Sequence, residues 1–130
     1  MRSEPAGWAR KRIGLVTPYR SDVQARIVGN YTQAGFARVG ERHAGLQDNF
    51  SFCAVRLHDI ETMTVAVAAE KPDATAVVCT NMDATRLAPH MEDRLGIPVI
   101  GSIAATLWGA LDRLGQPKGG LAEFGCIFAT

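Results

Sequence analysis

The chain has 130 residues, 47% of them hydrophobic and 21% charged, with a formal net charge of +1. That is ordinary globular composition, in a chain long enough to bury roughly two-thirds of its unfolded surface. Nothing in the near-neutral balance suggests nucleic acid or an anionic membrane as a partner, and no apolar run approaches the roughly 20 residues of a membrane helix.

In chain order, residues 12–17, RIGLVT, read as a short buried strand behind the basic cluster Arg10-Lys11-Arg12. Pro18-Tyr19 breaks it, and Ser21-Asp22 are placed to cap a helix over 22–34 with Val23, Ile27, Val28, Tyr31 and Ala34 on one face. Gly35 stands where a C-cap glycine belongs. Residues 36–42, FARVGER, alternate as a second strand weakened by Gly40, and 43–54 read as a loop. A helix is expected over 56–70, with Leu57, Ile60, Thr64, Val67 and Ala68 on one face, ended by Lys71-Pro72-Asp73.

The stretch 74–82, ATAVVCTNM, reads as a buried strand over 74–79 that ends in a cysteine, followed by the helix-start types Thr80 and Asn81. A helix over about 83–95 with Leu87, Met91 and Leu95 on one face holds Pro89 as a kink or break. IPVI at 97–100 makes a fourth strand, and 103–114 a last helix, with Trp108 in the core. Short apolar strands alternating with helices predict an α/β lobe over 12–115. This is a small doubly wound, flavodoxin-like, four-stranded parallel sheet with helices on both faces. The tail, 116–130, carries Leu121, Phe124, Ile127 and Phe128 and is expected to pack in part.

In such sheets ligands bind beyond the carboxyl ends of the strands. The rim there carries Tyr19, Asn49, Cys79, Thr80, Asn81 and Ser102, a set of mostly uncharged donors that suits a carboxylate or an enolate oxygen. A thiol facing a helix N-terminus meets unpaired N–H donors and partial positive charge, which favour the reactive thiolate. Each position also has a plainer reading: Cys79 as core, Tyr19 as a surface turn residue, Asn49 as an Asx-turn, Thr80 and Asn81 as caps. Cys53 and Cys126 read as structural or incidental. The odd, widely spaced cysteine set argues for a reducing, cytoplasmic setting, and the opening MRSEPAGWARKR has no apolar signal segment. His43, His58 and His90 share no ligand spacing, so no metal site is expected. No dinucleotide fingerprint, P-loop, HExxH or GxSxG is present.

Four segments in order, VTPYRSDVQARI, GLQDNF, PDATAVVCTN and LGIPVIGSIAATLWGALDRLG, carry a resemblance. Together they resemble the carboxyl-terminal half of the maleate cis–trans isomerase and arylmalonate decarboxylase group, in the aspartate/glutamate racemase superfamily. Ectoine-utilisation relatives are similar too. The resemblance implies one lobe of a normally two-lobed fold with its active site in the cleft between lobes, residues 1–11 being an inter-lobe connector and the chain truncated. It places the second-lobe catalytic cysteine on Cys79, the tyrosine of the TPY turn on Tyr19, a carboxylate-binding asparagine on Asn49, carboxylate-holding backbone N–H groups near Cys79 and Thr80, and a substrate-binding role on Thr80 and Asn81. It implies cofactor-independent chemistry, with no metal, on a small dicarboxylate such as maleate or an arylmalonate-type substrate, with no nucleic acid or membrane as partner. The alternatives to an isomerase are a decarboxylase, a racemase, an ectoine-related lobe, or a non-catalytic carboxylate-binding remnant. A lone lobe would expose the face that meets its companion, so self-association or pairing with a first-lobe chain is expected.

Overall fold

The computed structural model describes residues 12–129; the connector expected over 1–11 lies outside them. Strands β1 (Arg12–Thr17), β2 (Ala37–His43), β3 (Ala74–Val77) and β4 (Val99–Gly101) form a four-stranded parallel sheet in the order β2-β1-β3-β4. Helices α1 (Ser21–Gln33), α2 (Asn49–Cys53), α3 (Leu57–Ala68), α4 (Ala88–Leu95) and α5 (Ser102–Arg113) connect and follow the strands. The expected α/β class and parallel sheet are observed.

The pleat sorts side chains between two cores. Val16, Val77 and Val99 point to one face and join Ile60 and Val67 of α3 and Ala88 and Met91 of α4. Ile100 points to the other and joins Ala104 and Trp108 of α5. Two short 3-10 turns, Gly119–Phe124 and Cys126–Ala129, bring Ile127 and Phe128 into that second cluster. Glu92 fastens them: its carboxylate accepts from the Cys126 N–H (2.8 Å), the Cys126 thiol (2.9 Å) and the Val99 N–H (2.9 Å).

Two glycines let α3 lie close on the sheet. Gly14 pairs with Gly40 across a register shift that leaves Val39 without a partner. A Cβ on Gly14 would run into the Val67 side chain, and one on Gly40 would come to 3.0 Å from the Glu70 Cγ. Gly40 therefore does more than weaken a strand; it makes room for a helix.

Several boundaries differ from expectation. The stretch 43–54 is not all loop, because Asp48 accepts a hydrogen bond from the Ser51 N–H at 3.0 Å, capping α2, and Phe52 is buried. The helix expected from 83 begins at Ala88, and Pro89 lies in its first turn, where its missing N–H costs nothing. Residues 80–87 are turns and irregular chain. Strand β3 stops at Val77, although the Val78 N–H still donates to the Val16 carbonyl at 2.9 Å. The fourth strand spans Val99–Gly101 rather than 97–100.

In α1 the cap is Arg20, with no side-chain bond, and Ser21 and Asp22 sit inside the first turn. Its buried side chain is Gln24, whereas Val23 is 38% exposed; Leu57, expected on the buried face of α3, is 47% exposed.

Candidate active site

The carboxyl ends of the strands open onto three loops, 18–20, 44–48 and 78–87, and onto Ser102, where α5 starts directly from β4. The first two loops are laced together. Gly45 N–H donates to the Tyr19 carbonyl (3.0 Å), Leu46 N–H to the Pro18 carbonyl (2.8 Å) and Ala44 N–H to the Thr17 carbonyl (3.0 Å). This fixes the proline turn and so aims the Tyr19 side chain. Its ring meets Phe52 of α2 edge-on at 5.2 Å between centroids.

The Tyr19 phenol lies close enough to the Cys79 thiol to feel its charge. Burial first, then the nearby Cys79 side chain and the negative charge its thiolate would bring, push the phenol up to about 12. Tyr19 is therefore a neutral hydrogen-bond donor at ordinary pH. Cys79 is half-buried, not sealed, and borders the core that holds Val77 and Met82. Its backbone has φ 119°, a conformation essentially reserved for glycine.

The helix start beside Cys79 is not the one that follows it in sequence. Thr80 and Asn81 are exposed turn residues, closed by the Met82 N–H donating to the Cys79 carbonyl at 3.2 Å, and neither caps a helix. Instead the Cys79 N–H donates to the hydroxyl of Ser102, the first residue of α5, at 2.9 Å.

Asn49 is exposed at the start of α2, on the same short helix as Phe52. The structure thus brings Tyr19 and Cys79 to the same corner of the rim, sets Thr80 and Asn81 in the adjoining turn, and brings α2 against Tyr19. Cys53 is exposed on α2, Cys126 is bonded to Glu92, and none of the three cysteines is in a disulfide.

A buried polar chain supports the Tyr19 turn and was not foreseen. The Tyr19 N–H donates to the Thr17 hydroxyl at 3.3 Å, which donates to Gln24 Oε1 at 2.7 Å. Gln24 Nε2 donates to Glu41 Oε2 at 3.0 Å, and His43 Nδ1 lies 2.8 Å from the same oxygen. Burial pushes the Glu41 carboxyl up, but hydrogen bonds from His43 and Gln24 and the charges of His43 and Arg38 outweigh it and hold it below the usual range. The signal in sequence was a glutamine inside an apolar helical face, which period alone does not reveal as buried. No group of His, Cys, Asp and Glu among the described residues could hold a metal ion, and no helix there is long and apolar enough to cross a membrane.

The family model for arylmalonate decarboxylase matches residues 6–123 of this chain. The chain belongs to the arylmalonate decarboxylase family. It is 24% identical over 120 residues to arylmalonate decarboxylase of Bordetella bronchiseptica, covering 91% of this chain and 50% of that one. Among solved structures it is similar to a variant of Nocardia farcinica maleate cis-trans isomerase with a covalently bound succinylcysteine intermediate (TM-score 0.83, 24% identity, 92% of this chain and 49% of that one). A Pseudomonas putida maleate isomerase variant with maleate is similar too (TM-score 0.83, 22% identity, 92% of this chain and 48% of that one). The fold is that of one lobe of these Asp/Glu racemase-like proteins, and the chain spans about half the length of the relatives it matches.

Proposed function

We propose that this chain is the thiol-bearing lobe of a cofactor-independent isomerase acting on a small dicarboxylate, with Cys79 as acid and base at carbon. The observation that carries the reading is the proximity of a neutral Tyr19 phenol to a half-buried Cys79 thiol at the strand ends. The phenol donates to a substrate oxygen that gains charge as a proton leaves or joins the neighbouring carbon. Exposed backbone groups at Thr80 and Asn81 hold one carboxylate, and the Asn49 amide holds another.

In the maleate scheme a thiolate from a companion lobe adds to one alkene carbon, and the Cys79 thiol gives its proton to the other. The new C–C single bond rotates. Cys79 then takes a proton back from that carbon as the companion thiolate leaves with the C–S electron pair, and fumarate is released. The succinylcysteine captured in the Nocardia relative supports this order of events.

The decarboxylase match supports a second reading, in which carbon dioxide leaves an arylmalonate-type substrate and Cys79 protonates the enediolate. In both, the companion surface is supplied by a second copy or a first-lobe chain. Val23 on α1 and Ile103 and Leu107 on α5 are exposed apolar side chains available to it. The odd, widely spaced cysteine set supports a reducing, cytoplasmic setting.

The test is fumarate formation from maleate, and carbon dioxide release from an arylmalonate, by the full chain and by its cysteine variants. Cys79→Ser and Cys79→Ala should abolish turnover, while Cys53→Ser and Cys126→Ser retain it. Equal activity in the Cys79 variants removes the mechanism, and a strictly monomeric elution profile at micromolar concentration removes the self-association.

A further inference from the structure

We propose that Ser102 is a positioning residue for Cys79, its hydroxyl holding the Cys79 backbone in the conformation that presents the thiol to Tyr19. The inference deepens the reading of Cys79 as the acid–base group and rests on it for its functional meaning.

The argument starts at the sheet. In a parallel strand successive N–H groups point to opposite neighbours. Along β3 the Thr75 N–H donates to Pro98 on the β4 side at 2.9 Å, and the Val78 N–H to Val16 of β1 at 2.9 Å. The Cys79 N–H therefore faces β4. The ladder itself ends where Val77 pairs with Gly101, so no further strand carbonyl stands opposite Cys79. The Ser102 hydroxyl takes that acceptor's place at 2.9 Å.

The acceptor is itself fixed. β4 runs into α5 with no intervening loop, so Ser102 takes its position from the sheet, and the Thr106 hydroxyl donates to the Ser102 carbonyl at 2.8 Å, tightening the first turn. The donor sits at φ 119°, which a residue with a Cβ keeps only where the surroundings impose it. Strain at the one residue offered as a catalytic thiol, opposed by one side-chain hydrogen bond, is what a positioning contact requires. Without the hydroxyl, the Cys79 N–H turns to water, φ relaxes, and the thiol leaves the phenol for the exposed turn beside Thr80.

The test uses the full chain with Ser102→Ala and Ser102→Thr, each alone and combined with Cys79→Gly. A lost hydrogen bond should raise the unfolding equilibrium constant about five- to tenfold for Ser102→Ala in the native background. The same change should have a larger effect with Cys79→Gly, where the conformation carries no strain and relaxation returns none of the lost bond. A purely structural hydroxyl costs the same in both backgrounds.

The second readout is iodoacetamide labelling of Cys79 measured against Cys53, which is exposed on α2 and serves as an internal reference. Ser102→Ala should raise the Cys79-to-Cys53 ratio severalfold and Ser102→Thr restore it. An unchanged ratio, or equal stability losses in both backgrounds, overturns the proposal. Neither readout needs turnover, so a chain silent toward every substrate would refute the acid–base reading while leaving this result standing.

Discussion

Replacing Cys79 by alanine and by glycine separates the thiol from the backbone that carries it. Both variants lose the sulfur and its contact with the core around Val77 and Met82. They differ in the Cβ alone. At φ 119° a Cβ costs about 1–3 kcal/mol, whereas glycine's greater freedom in the unfolded chain costs about 0.5–1 kcal/mol. The difference leaves Cys79→Gly more stable than Cys79→Ala by about 0.5–2 kcal/mol, the reverse of the usual order. For a chain of this length that is on the order of 3–5 °C in melting temperature per kcal/mol. Urea and thermal unfolding of the two variants, side by side, measure it. Alanine equal to or better than glycine would mean that the backbone at Cys79 is not strained, and the case for a held thiol would fall with it.

The chain has two tyrosines, so Tyr31→Phe leaves Tyr19 as the sole phenol. Its phenolate absorbance should then rise with a midpoint near 12 rather than 10. Since the folded value exceeds the unfolded one, this contribution to stability is complete below pH 10 and lost as pH rises through 12. Glu41 has the opposite sign. Its folded value is lowered, so its contribution is present above the ordinary glutamate range and lost as pH falls through it. Glu41→Gln should flatten the acid limb of the stability–pH curve, read by urea midpoints at stepped pH. Gly14→Ala should destabilise by about 1–3 kcal/mol, because the added methyl meets Val67 in a filled core, and Val67→Ala in the same chain should relieve the overlap. Gly29→Ala, with open space around its α1 position, should be neutral or stabilising by up to about 1 kcal/mol in the same unfolding assay.

The sheet was legible because β1, β3 and β4 are short apolar runs and β2 alternates, and period and punctuation are local signals. Trp108 falls in the core as its helical position indicates. What escaped was set by tertiary partners. α2 is too short for a periodic signal and exists because Asp48 caps it and Phe52 finds Tyr19. Gln24 reads as an interruption of an apolar face, yet it is the residue α1 buries, since Thr17 and Glu41 satisfy its amide. Proline at position 89 signalled a break and proved to be a start. The rim residues were recognisable from their place after the strands, but the pairing of Cys79 with Ser102 across the sheet joins segments far apart in sequence. No reading of the ATAVVCTNM stretch by itself could have supplied it.

The direct passage from β4 into α5 constrains how this lobe can vary. Residues 18–20, 44–48 and 80–87 are turns and loops beyond the strand ends, and extra chain there would reshape the mouth of the cleft. Between Gly101 and Ser102 there is no slack: an inserted residue would move α5 along its axis and carry Trp108 out of register with Ile127 and Phe128. Insertions that retune substrate range are therefore confined to three corners of the rim, while the fourth stays an anchor of constant length.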